Sequence, residues 1–174
     1  ALNLALDDKT VGQKTVNAYT LKVNDTAGGA AADDLNKLDA KTSVVVDAKA
    51  VTAIKGSAAD IKTVLAATTI DTAADVIVNV SGTVSAADAN TIAKATAGVV
   101  TATVAAGTAA ALNTALTEVD PLNKLTLKVT GAATATDLTD LSGKTDIAVD
   151  ATKVTAITGA LADVTAAIIT PATK

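Results

Sequence analysis

The aspartates carry the clearest chemical potential in this sequence, because clustered carboxylates are ligands that calcium prefers. A calcium site needs six to eight converging oxygens, usually from alternating acids in one loop. Neither the EF-hand pattern nor the Gly-Gly-x-Gly-x-Asp nonapeptide of calcium-binding rolls occurs here. We therefore interpret the aspartates as helix caps and solvated surface, predict no metal and no cofactor, and keep calcium as the alternative. The closest groupings are Asp7 with Asp8, Asp33 with Asp34, and Asp71 with Asp75.

One serine lies beside a lysine, the base that a serine nucleophile would need in a chain without histidine. This triplet, Ser142-Gly143-Lys144, falls at a junction between repeats, where a polar loop is the expected structure. The glycines at Gly28-Gly29 and between Gly98 and Gly107 lack the spacing of phosphate-binding loops. We predict no catalytic and no cofactor-binding residues, and hence no enzyme.

The composition excludes further classes of function. The 174 residues include no His, Cys, Met, Phe, Trp or Arg, and Tyr19 is the single aromatic residue. An imidazole base, a thiol nucleophile and a disulfide are thus impossible. Fourteen lysines, spread singly, against eighteen acids give a net charge of −4, so we expect no nucleic-acid partner. The longest uncharged stretch, 95–117, is mostly alanine and lacks the roughly 20 strongly apolar residues of a membrane span.

The chain is internally repetitive. Residues 45–56 and 148–159 share Val-Asp-Ala and Val-Thr-Ala-Ile at a common offset of 103 positions, and Leu21-Lys22-Val23 matches Leu127-Lys128-Val129. A third copy, 76–116, matches the last one at an offset of 49. We predict a single repeat domain over 17–174, with double repeats 17–70, 71–120 and 121–174, and residues 1–16 as an N-terminal cap or divergent coil. Each double repeat splits into two units of about 25 residues.

Each unit predicts a strand, a turn and a short helix. β-branched runs mark the strands, and apolar residues three and four apart mark helices of about ten residues, which are marginal alone. Three helix starts have capping-box spacing with Asp as the acid, and a fourth lacks the hydroxyl. The strand runs are 19–23, 44–47, 76–80, 99–104, 125–129 and 147–150; the caps are Ser57 with Asp60, Ser85 with Asp88, Thr134 with Asp137, and Ala160 with Asp163.

These units predict an α/β fold, a right-handed parallel solenoid of about six strand–turn–short-helix coils, similar in stacking to leucine-rich repeats or β-helices. A single doubly wound sheet is the alternative. In the solenoid, Val46, Val78, Leu127 and Val149 would point inward in equivalent positions. No distinct cap follows the last helix, so we expect the C-terminal end to meet another copy or a flanking repeat.

The phrases Val80-Ser-Gly-Thr-Val-Ser-Ala-Ala-Asp-Ala-Asn-Thr-Ile92 and Gly98-Val-Val-Thr-Ala-Thr-Val104 resemble the Ala/Thr/Val/Asp-rich tandem repeats of large bacterial surface and secreted proteins, cyanobacterial ones especially. Val46-Asp-Ala-Lys-Ala-Val-Thr-Ala-Ile-Lys-Gly56 resembles them too, and the likeness covers roughly 17–168. It implies an extracellular or cell-surface structural role, in a surface layer, sheath, filament or adhesin stalk, with other copies of the chain or flanking repeats as partners.

Two alternatives stay open. An adhesin would bind a cell-surface glycan through one face. An ice-binding solenoid would order water on ranks of threonine, for which Thr101-Ala-Thr103 is the one good strand segment. We expect Val46, Val78 and Val149 beside it in the other strands, and therefore no aligned rank.

Overall fold

The structure is a computed structural model, and it describes residues 18–24 and 28–169. Short strands alternate with helices of seven to ten residues along these ranges. The strands are β1 (Lys22–Asn24), β2 (Ala30–Ala31), β3 (Val46–Ala50), β4 (Ala53–Gly56), β5 (Ile70–Thr72), β6 (Ile77–Val84), β7 (Val100–Val104), β8 (Lys124–Thr126), β9 (Lys128–Thr134) and β10 (Asp150–Thr158). The helices are α1 (Ala32–Asp39), α2 (Ala58–Ala66), α3 (Ala86–Ala95), α4 (Ala109–Ala115), α5 (Ala135–Ser142) and α6 (Leu161–Ile169).

The strands form three separate sheets, and every strand pair in the described ranges is parallel. One sheet has the order β1-β3-β5, a second has the order β2-β4-β6-β7-β8, and β9 pairs with β10 in the third. Ala30 pairs with Ile54, and Ile54 pairs with Val78, so strands from successive repeat units become neighbours. The sequence repeat therefore sets the register of the sheets.

The predicted right-handed solenoid of about six coils is wrong. It assumed that each unit places one strand in a common row, whereas the strands divide among three separate sheets. The physical reason is visible at β3 and β4, which are separated only by Val51 and Thr52 and yet enter different sheets. The alternative, a single doubly wound sheet, is contradicted by the same division. The described residues form an α/β domain of three parallel sheets and six helices.

The four residues expected to be equivalent are not. Val46, Val78 and Leu127 are fully buried, whereas Val149 is half-buried. Val46 pairs with Ile70 in the three-stranded sheet, while Val78 lies in the five-stranded sheet. Their apolar character predicted burial, but it did not identify the sheet. The proposed double repeats 17–70, 71–120 and 121–174 remain a prediction, and the 1–16 cap lies outside the described residues.

The helices bury one face against the sheets and against one another. Each is too short to be stable alone, so packing must hold it in place. Neighbouring helices are in contact in sequence order from α1 to α6. The larger buried helical side chains are Leu35, Leu38, Ile61, Val64, Ile92, Leu112, Leu138 and Leu141, and five helical alanines are buried with them.

The three predicted hydroxyl caps are confirmed. The side-chain oxygens of Ser57, Ser85 and Thr134 accept from the backbone N–H three residues later. In a capping box, the acid would accept a hydrogen bond from the backbone N–H of the N-cap residue. The three aspartates do not form this bond. Instead each carboxylate accepts from the capping hydroxyl, for example from Ser85 Oγ to Asp88 Oδ2 at 2.9 Å. A further cap, Thr108 on α4, has no acid partner in the first turn.

Candidate functional site

The acidic groupings do not converge in the described part of the chain. Asp33 and Asp34 lie in the first turn of α1, where negative charge favours the helix dipole. Asp71 lies on β5, while Asp75 lies in the following loop. Among residues 18–24 and 28–169, no three acids come close enough together to hold a metal ion. Asp7 and Asp8 lie outside the described residues.

The lysine of the candidate Ser–Lys pair is engaged in a structural hydrogen bond. Ser142 ends α5, and Gly143 is its C-cap, with a backbone N–H that donates to the Thr139 and Asp140 carbonyls, while the Lys144 N–H donates to the Leu141 carbonyl. The Lys144 ammonium donates to the Leu116 carbonyl at 2.7 Å, at the end of α4. This contact fastens the loop after α5 to the preceding helix and holds the amine in a structural hydrogen bond.

Threonine side chains at the ends of helices form the most completely bonded polar sites. Thr145 is 2% exposed, and its hydroxyl oxygen accepts from the Leu125 and Ile147 N–H groups. It also lies within donating distance of the Asn123 and Leu125 carbonyls. A hydroxyl can do both because it carries one donor and two acceptor lone pairs.

The same arrangement of hydrogen bonds around a threonine hydroxyl recurs after two other helices. Thr42 donates to the Tyr19 carbonyl and accepts from Val44 N–H. Thr96 donates to the Val76 carbonyl and accepts from Gly98 N–H. The repeat offsets of 103 and 49 also relate these threonines, since Thr42 and Thr96 answer Thr145. Their shared position in the repeats is the sequence signal that marks this arrangement.

A second polar device joins neighbouring helices. The fifth residue of α1 and of α4 reaches the first turn of the next helix: Asn36 donates to the Asp60 carbonyl at 3.1 Å, and Asn113 donates to the Asp137 carbonyl at 2.9 Å. The fifth residue of α3, Asn90, instead bonds to Thr117 and Glu118, which follow α4. Lys62 takes the same position in α2 and forms an ion pair with Asp88. We did not predict these contacts from the sequence, although the fifth residue is Asn or Lys in each of the first four helices.

Ion pairs between neighbouring repeat units shift the pKa values of the side chains that form them. The Lys62 ammonium, together with the Ser85 hydroxyl, lowers the pKa of Asp88. On the three-stranded sheet, Lys49 forms an ion pair with Asp71 at 2.8 Å, which raises the pKa of Lys49. Each of these pairs links one repeat unit to the next.

Three threonines do line up, contrary to expectation. Thr103 pairs with Thr83 on one side and with Thr126 on the other, because two extra residues in β6 shift its register. The adjacent row contains Lys55, Asn79, Thr101 and Lys124. Lysine ammonium groups hold their own hydration shell strongly. Because two lysines lie in this adjacent row, the face is not the extended array of threonines that an ice-binding solenoid would use to order water.

One surface depression of about 530 Å³ lies between α4 and α5. It is open to solvent and is lined by amide, hydroxyl, carboxylate and ammonium groups. The buried Asn113 Oδ1 beside it has no hydrogen-bond partner among the described residues. The lining residues are Asn113, Val119, Thr139, Asp140, Gly143 and Lys144.

The comparisons with known proteins return no relatives: no family model, curated protein or solved structure matches this chain. In the described residues, no helix is both long enough and apolar enough to cross a membrane. The polar geometry described above is therefore the basis for any functional conclusion.

Proposed function

We propose that this protein is a non-enzymatic structural module, located outside the cell or on its surface, that associates with other copies of itself or with flanking repeats of the same kind. The observation that supports this best is the recurrent helix-to-helix contact made by Asn36, Lys62 and Asn113. These polar side chains, at one repeated position, join successive units of the chain. Such an arrangement suits a structural role rather than catalysis.

The likeness of the sequence to Ala/Thr/Val/Asp-rich bacterial surface repeats supports the extracellular location. It favours a surface layer, a sheath, a filament or an adhesin stalk. The test of location is to add a protease to intact source cells and to follow the protein with an antibody. We expect the protein to be cleaved while a cytosolic marker survives; protection until the cells are lysed would contradict the proposal.

Self-association is tested on the purified chain by static light scattering over a concentration series. We expect the average mass to rise with concentration, and a constant monomer mass up to the highest concentration would overturn this part of the proposal. The non-enzymatic part is tested with a broad panel of hydrolase and lyase substrates. A turnover that one point substitution abolishes would contradict it.

Glycan binding by an adhesin is the second candidate, and the depression between α4 and α5 favours it. Its carboxylate, amide and hydroxyl groups, from Asp140, Asn113 and Thr139, are the kinds of groups that hydrogen-bond sugar hydroxyls. The test is a glycan array with the parent chain and with Asp140→Ala. A glycan bound by the parent and lost in this variant, but retained in the control Asp146→Ala, would support the adhesin.

A further inference from the structure

The loop between α4 and β8 contains the single Asp–Pro peptide bond of this chain, Asp120–Pro121. The backbone turns at this bond, because the Asp120 carbonyl oxygen accepts from the Asn123 N–H at 2.9 Å, the hydrogen bond of a β-turn. Aspartate is favoured at the first position of such a turn, and proline, with its fixed φ, at the second. Asp120, Pro121 and Leu122 are exposed, so water reaches the Asp–Pro bond.

The carboxylate of Asp120 is folded back over this turn. Its Oδ1 accepts from the Leu122 N–H at 2.7 Å, which restricts the side chain to the neighbourhood of its own main-chain carbonyl group. The other oxygen, Oδ2, has no hydrogen-bond partner among the described residues. An aspartate oxygen that bonds to the carbonyl carbon of the same residue closes a succinic anhydride ring. A carboxylate is a known class of protein nucleophile, and its restriction beside the target reduces the entropy cost of attack.

The N–H group that contacts the Asp120 carbonyl is itself held in place. Asn123 is 4% exposed, and its Oδ1 accepts from the Val100 N–H of β7 at 2.7 Å. Its carbonyl accepts from the Asp146 N–H, also at 2.7 Å. The Asn123 N–H is therefore a fixed donor to the Asp120 carbonyl oxygen. Such a donor stabilises the negative charge that develops on this oxygen when the carbonyl carbon is attacked.

Pro121 supplies the leaving group. Its nitrogen belongs to a tertiary amide and carries no hydrogen. A tertiary amide nitrogen is more basic than that of an ordinary peptide bond, so acid assists its departure as a secondary amine. Mild acid supplies this proton while a fraction of carboxylates remains ionised.

We propose that in mild acid this turn cleaves its own Asp120–Pro121 bond. Asp120 Oδ2 attacks the Asp120 carbonyl carbon, and an electron pair moves onto the carbonyl oxygen that Asn123 holds. When this pair returns, the carbon–nitrogen bond breaks, and its electrons go to the Pro121 nitrogen, which takes a proton from hydronium. Water then opens the anhydride. Asp120 becomes a C-terminal residue with two carboxyl groups, and Pro121 becomes an N-terminal amine, with one water molecule consumed.

This activity is separate from the proposed structural function. It is a single event in which the chain itself is consumed, and it requires neither self-association nor a cell-surface location. The bond lies at the predicted boundary between the double repeats 71–120 and 121–174. Cleavage there leaves the parallel pairing of Ala102 with Leu125 in place, and Leu125 and Leu127 remain buried. The two fragments should therefore stay together until the protein is denatured.

Few charged side chains lie near the turn. Glu118 and Lys124 flank it on its own segment, and Lys144 and Asp146 lie on the segment after α5 that contacts Asn123. Strand β7 and helix α4 carry no charged residue. Asp146 is exposed and forms no part of the proposed reaction, so it is the matched position for a control that removes one nearby negative charge.

The cleavage is tested on the purified chain at about pH 4, with circular dichroism to show that it is folded. We expect a denaturing gel and mass spectrometry to show fragments 1–120 and 121–174, while gel filtration shows an unchanged size. Asp120→Asn keeps an oxygen for the Leu122 N–H but removes the carboxylate, and it should cleave at least about tenfold more slowly. The control Asp146→Asn should cleave at the rate of the parent. An uncleaved parent chain, or an Asp120→Asn variant that cleaves as fast, would overturn the proposal.

Two further measurements test the part played by the turn and by the anhydride. The same chain unfolded in urea at the same pH keeps the Asp–Pro bond but loses the fixed Asn123 donor, so we expect cleavage at least about tenfold slower. Cleavage in urea that is as fast as in the folded chain would overturn the role of the turn. Added hydroxylamine should trap the anhydride as a hydroxamate on Asp120 of fragment 1–120. Cleavage without this product would overturn the attack by the Asp120 carboxylate.

Discussion

Thr145 holds the backbone of Leu125 from both sides: its hydroxyl oxygen lies 2.9 Å from the Leu125 nitrogen and 2.9 Å from the Leu125 carbonyl oxygen. Twenty residues separate the two in sequence, so this single side chain fixes the end of α5 against β8. Because the site is buried, water cannot replace the hydroxyl if it is removed. The repeated threonines are therefore the residues on which the joins between units depend.

Replacing Thr145 with valine should be strongly destabilising. Valine keeps the shape but leaves the Leu125 and Ile147 N–H groups without an acceptor, and each unsatisfied buried group costs about 1–3 kcal/mol. We expect the free energy of unfolding to fall by about 2–5 kcal/mol in urea denaturation.

The matched control is Thr91→Val, on the exposed side of α3. Its hydroxyl bonds only to the Ala87 carbonyl, which is already part of the helix. We expect a loss below about 1 kcal/mol. Equal losses in the two variants would show that Thr145 has no special role at the junction.

Gly98 should not tolerate a side chain. A Cβ at this position would lie 2.3 Å from the Asp75 carbonyl oxygen and 2.4 Å from the Val76 carbonyl oxygen, and both are backbone atoms that cannot rotate away. We expect Gly98→Ala to lower the free energy of unfolding by about 2–4 kcal/mol, since the preceding loop must shift.

Gly107→Ala is the control for this substitution. Its Cβ would meet the Leu112 Cγ at 3.5 Å, an ordinary contact, and the parallel bridge of Gly107 to Val129 uses only backbone atoms. We expect a loss below about 1 kcal/mol by the same measurement. If the two glycine variants melt alike, the close approach of Gly98 to the 75–76 loop is wrong.

Local features of this fold could be predicted from sequence because they depend on near neighbours. The capping hydroxyls of Ser57, Ser85 and Thr134 lie three residues from the N–H groups they bind, so their spacing sufficed. Burial of Val46 and Val78 followed from their apolar runs in the same way.

Sheet membership could not be predicted, because it depends on the path of the turn between strands. The sequence predicted one strand, 44–47, where the structure has both β3 and β4, and these two enter different sheets although only Val51 and Thr52 separate them. The register shift that brings Thr83 beside Thr103 likewise depends on extra residues in β6 that no periodicity reveals. The cross-helix contacts are different: Asn36, Lys62 and Asn113 are each the fifth residue of a helix, so their recurrence is visible in the sequence once the helix starts are known.

Ala160→Ser should strengthen the last helix. Ala160 precedes α6, and its carbonyl accepts the first helical hydrogen bond from Val164, but its side chain has no oxygen for the free N–H groups. Serine at the equivalent position 57 accepts from Asp60 N–H at 3.2 Å. We expect a gain of about 0.5–1 kcal/mol, seen as slower amide hydrogen exchange in α6. The control Ala166→Ser, inside the same helix, should instead speed exchange, because serine is the poorer helix former there.

Stability should depend on pH through the contact between Lys62 and Asp88. The Lys62 ammonium and the Ser85 hydroxyl lower the pKa of Asp88, so the folded state favours the ionised carboxylate. The stabilisation is fully present above the ordinary pKa of an aspartate, and it is lost as the pH falls through the lowered pKa of the folded state. Lys62→Met should therefore raise the pKa of Asp88 and reduce stability at pH 7 by about 0.2–1 kcal/mol, a small effect because both side chains are partly exposed. At a pH below the folded pKa, the two chains should unfold at the same urea concentration.

The measurement is urea denaturation across pH 2–7, with carbon-detected NMR titration of the Asp88 carboxyl. Lys94→Met, which removes a lysine charge from the helix that carries Asp88, is the control and should leave the Asp88 titration in place. A Lys62→Met variant whose stability deficit is the same at pH 2 as at pH 7 would show that Lys62 acts through packing and not through its charge.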